Sequence, residues 1–113
     1  MRLDKIVNEL QLEALTPLAE TEVTGGYASD LLSDVLANGR EGNIWVTIQV
    51  NRNVAAVASL KEFAGVVLAG GRHPQEDLLE VARREGVCLL STAMGTYEVC
   101  GRLFALGIPP AQE

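Results

Sequence analysis

The apolar positions of the chain fall into short, cleanly punctuated groups. Leu3, Ile6, Val7 and Leu10 recur at helical spacing, so residues 3–10 predict a short amphipathic helix. Leu12 to Leu15 predicts a short strand, and residues 16–21, which include Pro17, predict a loop. A strand ending in Gly25-Gly26 follows. The helix expected across 30–38 has Leu31, Leu32, Val35 and Leu36 on its apolar face. Ser29 or Asp30 is placed to cap it, and Asn38-Gly39 to end it with a left-handed residue. IWVTIQV, 44–50, is the clearest strand: β-branched, apolar, and preceded by the turn Glu41-Gly42-Asn43.

Residues 53–63 predict a helix whose alanines allow close packing on a sheet, and GVVLA, 65–69, reads as a strand covered on both faces. Residues 74–85 carry helix signals at both ends. Pro74 fits the first helical position, Glu76 and Asp77 the first turn, Arg83 and Arg84 the last, and Gly86 lies just past it. VCLLS, 87–91, is another buried strand. A last helix spans about 96–106 with Val99, Cys100, Leu103 and Leu106 inward; Gly107 ends it, and Pro109-Pro110 lies in a frayed tail. The alternation of strand and helix predicts an α/β fold: a three-layer α/β/α sandwich with a mostly parallel sheet, one domain over 1–107 and a tail over 108–113.

Composition narrows the roles open to this fold. At 113 residues the chain has material for one core. Nine basic residues stand against fifteen acidic ones, a net charge of −6. Nucleic-acid binders gain most of their affinity by neutralising phosphates, so that class of partner is excluded. No basic amphipathic helix offers itself to anionic lipid, no ~18-residue apolar run could span a membrane, and the charged start has no signal core. A cytoplasmic location is expected. Cys88 and Cys100 lie inside apolar runs without a C-x-x-C pattern, which predicts buried, reduced thiols. With a single His they are too few to build a metal site, and neither metal nor cofactor is expected.

In open parallel sheets, ligands bind outside the carboxyl ends of the strands. Reading those ends in turn gives Thr24, Gly25 and Gly26; Gln49, Asn51, Arg52 and Asn53; Gly70, Gly71, Arg72 and His73; and Ser91 and Thr92. Apart from His73, these are the candidate ligand-binding residues. The pair Gly25-Gly26 has two readings at this point. It lets a ligand or a second backbone approach closely, with successive amides forming an anion nest, or it relieves a turn or bulge. The helix near Asn53 alone has a first turn free of acids, so an anion would be held by Arg52, Asn53 and the amide of Val54. His73 reads as a solvent-facing loop residue, and neither G-x-x-x-x-G-K-[ST] nor G-x-G-x-x-G occurs. Asp30 and Asp34, four apart, read as solvated surface. No catalytic set emerges.

EVTGGYASDLLSDVL, then NIWVTIQVNRNVAAVASLKEFAGVVLAGGR, then CLLSTAMGTYEVCGRL, resembles the DRTGG domain from about residue 3 to 107. The naming motif, Asp-Arg-Thr-Gly-Gly, here reads Glu22-Val23-Thr24-Gly25-Gly26, keeping the Thr-Gly-Gly half. Domains of that kind are α/β sandwiches, found beside phosphotransacetylase domains and between CBS domains of some pyrophosphatases. They are similar to the amino-terminal part of HPr kinase/phosphorylase. The resemblance implies a non-catalytic regulatory module, acting as a homodimer and sensing a nucleotide or other phosphorylated small molecule on behalf of a larger protein partner. The sheet-end loops and the last helix, with Tyr97 and Phe104, are the expected contact surfaces, and Tyr27 suits either an interface or a ligand base. Two other roles stay open: a purely protein-interacting subunit, and a small phosphotransfer or hydrolytic enzyme using His73, Arg72 and Arg52.

Overall fold

Each apolar run becomes either a strand of one sheet or a helix lying on it. The computed structural model describes residues 1–111. In chain order the elements are α1 (Leu3–Leu10), β1 (Glu13–Ala14), β2 (Gly25–Ala28), α2 (Leu32–Asn38), β3 (Asn43–Thr47), α3 (Asn53–Leu60), β4 (Gly65–Leu68), α4 (Glu76–Glu85), β5 (Leu89–Ser91) and α5 (Thr96–Ala105). The sheet order is β1-β5-β4-β3-β2, parallel throughout except for β1, which runs antiparallel to β5. This is the expected three-layer sandwich with a mostly parallel sheet.

Successive strand residues point to opposite faces, and the core divides accordingly. Ile44, Val46, Val67 and Leu90 pack with Leu3 and Ile6 of α1 and Val99 and Leu103 of α5. Trp45, Val66, Leu68 and Leu89 pack with Val35 of α2, Val54 and Ala58 of α3, and Leu78 and Ala82 of α4. Trp45 is fully buried; its Nε1 donates to Ser29 O at 2.9 Å, which satisfies its one polar atom. No helix among the described residues is long and apolar enough to cross a membrane.

Several local expectations are corrected. The double glycine opens β2 rather than closing the strand before it: Gly25 is in register with Asn43, the first residue of β3. Helix α2 has no side-chain cap, because the Asp30 carboxylate accepts instead from Thr47 Oγ1 and from Ile48 N, both at 2.8 Å. On its predicted apolar face only Val35 is buried; Leu31 is 65% exposed. Gly39 is extended (φ −67°, ψ 153°), not left-handed, and it is small because the Phe63 ring would meet a side chain there. Pro74 precedes the N-cap Gln75 instead of entering α4. Gly86, at φ 71°, does close α4 in the left-handed conformation.

The tail is docked rather than frayed over 108–111. Gly26 N donates to Pro109 O at 2.8 Å, Ala111 N donates to Gly26 O at 2.9 Å, and Ile108 is buried. The segment runs parallel to β2 along the outer edge of the sheet. Residues 112–113 of the expected tail lie outside the described residues.

Candidate functional site

The connections decide where a crevice opens. α2, α3 and α4 join β2 to β3, β3 to β4 and β4 to β5, and all three pack on the same face of the sheet. The chain leaving β5 crosses to α5 on the opposite face. Neighbouring strands β4 and β5 therefore send their connections to opposite sides, and such a reversal opens a crevice at the carboxyl edge. A cleft of about 560 Å³ lies at that point, lined by Gly71–Pro74 after β4, by Ser91–Met94 after β5, by Glu98 and Arg102 of α5, and by Leu10, Gln11, Glu13 and Leu15 from the first elements.

Of the candidate residues, Gly71, Arg72, Ser91 and Thr92 come together in this cleft, and His73, read as a solvent-facing loop residue, lines it too. Gly70 and Gly71 take left-handed conformations (φ 78° and 68°), which suit glycine. Their amides are used to clasp the two loops: Gly70 N donates to Met94 O at 2.7 Å and Gly71 N to Thr92 O at 2.9 Å. Met94 N in turn donates to Thr92 Oγ1 at 3.1 Å. Arg72 folds back over Gly70, its Nη1 donating to Ala69 O at 3.3 Å. Among the described residues no carboxylate pairs with it, whereas Arg102 is held by Glu98 at 3.0 Å.

Gln49, Asn51, Arg52 and Asn53 also lie at the carboxyl edge, but outside the cleft. β3 and β4 send their helices to one face, so no crevice opens between them. Their polar groups satisfy each other: Gln49 Nε2 donates to Asp30 O (2.9 Å), Asn51 Nδ2 to Gln49 Oε1 (3.2 Å), and Asn53 N to Asn51 Oδ1 (2.9 Å). Val54 N donates to Asn51 O at 3.1 Å, so the amides expected to hold an anion beside Arg52 are already engaged.

Thr24, Gly25 and Gly26 stand at the opposite, amino edge, which corrects their expected place on a shared rim. Thr24 Oγ1 donates to Glu41 O at 2.8 Å and accepts from Asn43 Nδ2 at 3.2 Å. A Cβ on Gly25 would lie 3.0 Å from Pro110 O and 3.2 Å from Pro109 O. The approach that this glycine permits is that of a second backbone, the chain's own tail.

Glu13, Gln11, Glu98 and Arg102 are the cleft residues that sequence reasoning missed. Glu98 and Arg102, four apart on a helix, could have been marked as an ion pair. Nothing in a two-residue antiparallel strand announces that Glu13 faces Ser91, whose hydroxyl donates to Glu13 Oε1 at 3.3 Å.

Other titratable groups have structural partners. Ser29, Tyr27 and Asn38 hold the Asp34 carboxyl below the usual carboxylate range, with Tyr27 Oη 2.9 Å and Asn38 Nδ2 2.8 Å away. The same carboxylate, with burial, pushes the Tyr27 phenol up. Burial also raises the Cys100 thiol, while buried Cys88 Sγ donates to Pro17 O at 3.3 Å. Among the described residues no three His, Cys, Asp or Glu side chains gather as metal ligands.

Fold and cleft together define a small α/β sandwich domain with a mixed-charge crevice at its topological switch point. A solved structure with this fold is that of the CBS and DRTGG domains of the regulatory region of Clostridium perfringens pyrophosphatase, complexed with an activator, diadenosine tetraphosphate. The match has a TM-score of 0.73 at 19% identity and covers 95% of this chain and 47% of that one, so this chain spans about half its length. At that identity the likeness is one of fold, and the resemblance to DRTGG domains stands at that level. No family model and no curated protein matches the chain.

Proposed function

We propose that this domain is a non-catalytic regulatory module that senses a small phosphorylated ligand, a nucleotide being the leading class, in the cleft between the β4 and β5 loops. The observation that carries the reading is Arg72: a guanidinium without a carboxylate partner, in a protein of net charge −6, at the mouth of a cleft of about 560 Å³. A guanidinium with no carboxylate on it, at a switch point and lining a cleft, is placed for an anionic ligand. His73 adjoins it, and Ser91 and Thr92 supply hydroxyls on the facing loop. The neighbour of like fold, a regulatory region complexed with a nucleotide activator, supports the same assignment.

Among the described residues the cleft's one hydroxyl–carboxylate contact, Ser91 Oγ to Glu13 Oε1, is long at 3.3 Å, which gives little support to a nucleophile–base pair. Thr24, Gly25 and Gly26 drop out of the proposed site, and Gln49, Asn51, Arg52 and Asn53 become its supporting rim. Titration with a panel of nucleotides by thermal shift tests the proposal: a raised melting temperature lost in Arg72→Ala, with the ligand-free variant as stable as wild type, is the expected result. Equal shifts in both proteins would remove Arg72 from the site.

A second reading rests on α5. Phe104, 69% exposed, lines an apolar groove of about 210 Å³ between α5, β2 and the docked tail, and Tyr97 of the same helix is 92% exposed. Aromatic surface of this kind favours contact with a protein, either a second copy or a larger partner. Sizing chromatography of wild type and Phe104→Ser distinguishes the two: a dimer dissociated by the variant supports self-association.

A further inference from the structure

Resting on the phosphorylated-ligand reading, we infer that the cleft takes a nucleoside monophosphate and selects against di- and triphosphates. The inventory of groups at the site sets this limit. Polyphosphate sites use runs of backbone amides and several free cations. Here the amides of Gly70, Gly71, Thr92 and Met94 are spent on Met94 O, Thr92 O, Leu68 O and Thr92 Oγ1, so the lining loops keep no run of free amides longer than Arg72–His73. Of the two arginines in the cleft, Arg102 is neutralised by Glu98 at 3.0 Å, which leaves Arg72 with His73 beside it.

Two carboxylates line the same cleft: Glu98, whose charge Arg102 already matches, and Glu13, on which no cation sits among the described residues. Each phosphate beyond the first adds negative charge facing them without adding a cation to meet it, and like charges at close quarters work against binding. The carboxylates suit the other end of a monophosphate ester. Glu13 already accepts the Ser91 hydroxyl at 3.3 Å, a long and exposed bond that a ligand hydroxyl or amine can replace. Leu10, Leu15 and Met94 give an apolar wall for a flat ring, and about 560 Å³ is ample room for one nucleoside.

Calorimetric titration of the full chain with AMP, ADP, ATP, diadenosine tetraphosphate and ribose 5-phosphate, at fixed ionic strength and with a chelator present, tests this. AMP should bind at least about tenfold more tightly than ATP, and ribose 5-phosphate more weakly than AMP. Glu98→Gln removes one carboxylate and releases Arg102, so the AMP/ATP ratio should fall to about threefold or less through a gain for ATP. Glu13→Gln should act in the same direction and serves if the α5 variant folds poorly. Wild type that binds ATP or diadenosine tetraphosphate as tightly as AMP overturns the selection while leaving a phosphorylated ligand in place. Equal binding of ribose 5-phosphate and AMP overturns the nucleoside assignment. Silence from all five probes overturns the inference and the sensing function together.

Discussion

Two glycine pairs sit at opposite edges of the same sheet, and they are there for different reasons. Gly25 at the amino edge is small because another backbone lies against it: Pro109, Pro110 and Ala111 all come within 3.3 Å of where its Cβ would be, whereas a Cβ on Gly26 would meet nothing closer than Ile108 Cγ2 at 3.6 Å. Neither glycine of that pair has a positive φ. Gly70 and Gly71 at the carboxyl edge are left-handed, with open space beside Gly71. The first pair answers a packing requirement, through Gly25, and the second a backbone-conformation requirement. Only the second borders the mixed-charge cleft, through Gly71, while Gly26 lines the apolar groove beside α5. Thr24-Gly25-Gly26 is thus explained here by architecture, since it joins β2 to β3 and to the tail, while the mixed-charge cleft lies at the other edge.

Gly25→Val should give the largest effect. Its added carbons meet carbonyl oxygens that cannot move without undocking the tail, a cost of about 2–3 kcal/mol, or roughly a 10 °C fall in melting temperature. Nucleotide affinity should stay the same. A loss of affinity matching the loss of stability would mean that the two edges are coupled, and the contrast between them would break.

Thr24→Val comes next. It keeps the shape but removes the acceptor of the Asn43 amide, and Asn43 is 1% exposed. A buried amide left without that partner costs about 1–3 kcal/mol, measurable by denaturant unfolding, again with ligand binding intact. Gly71→Ala should cost less, about 1–2 kcal/mol for a left-handed alanine, because its Cβ meets nothing closer than Ala93 Cα at 4.0 Å. Unlike the other two it should also weaken nucleotide binding, since it disturbs the clasp to Thr92 that shapes the cleft. If Gly71→Ala alters stability alone, the cleft assignment loses its support from this loop.

Periodicity made the layered fold legible. Strands such as Asn43–Thr47 and Gly65–Leu68 are buried on both faces, and α4 announces itself through Glu76, Asp77, Arg83, Arg84 and Gly86. What stayed hidden depended on contacts far apart in sequence. Glycine is read locally as a stop, yet Gly25-Gly26 begins a strand because residues 108–111 return to cover it. Arg72, Ser91 and Thr92 were found because strand ends face one rim. Arg52 and Asn53 share that rim but not the crevice, since the face to which each helix crosses is invisible to a one-dimensional pattern. Glu13 was out of reach altogether, because its place depends on an antiparallel partner 78 residues away.

The smallest effect should come from Tyr27, which sits on β2 with its hydroxyl on Asp34 of α2, away from the cleft. The sign follows from the two shifts. Asp34 is lowered, so its contribution to stability is present above the ordinary carboxylate value and is lost as pH falls through the still lower folded one. Tyr27 is raised, so its contribution is present below the ordinary phenol value and is lost as pH rises through the folded one. Tyr27→Phe removes the hydrogen bond that leads the Tyr27 shift and that comes second, after Ser29, in the Asp34 shift. Wild type should therefore exceed the variant in stability across neutral pH, with the gap closing at the acid end as Asp34 takes up a proton and at the alkaline end as the unfolded phenol loses one. Urea unfolding at intervals from pH 3 to pH 11 would trace that arch. A gap constant across the range would mean that the Tyr27 ring, rather than its bond to Asp34, joins β2 to α2; AMP affinity unchanged by the variant at neutral pH would keep this contact on the architectural side of the molecule.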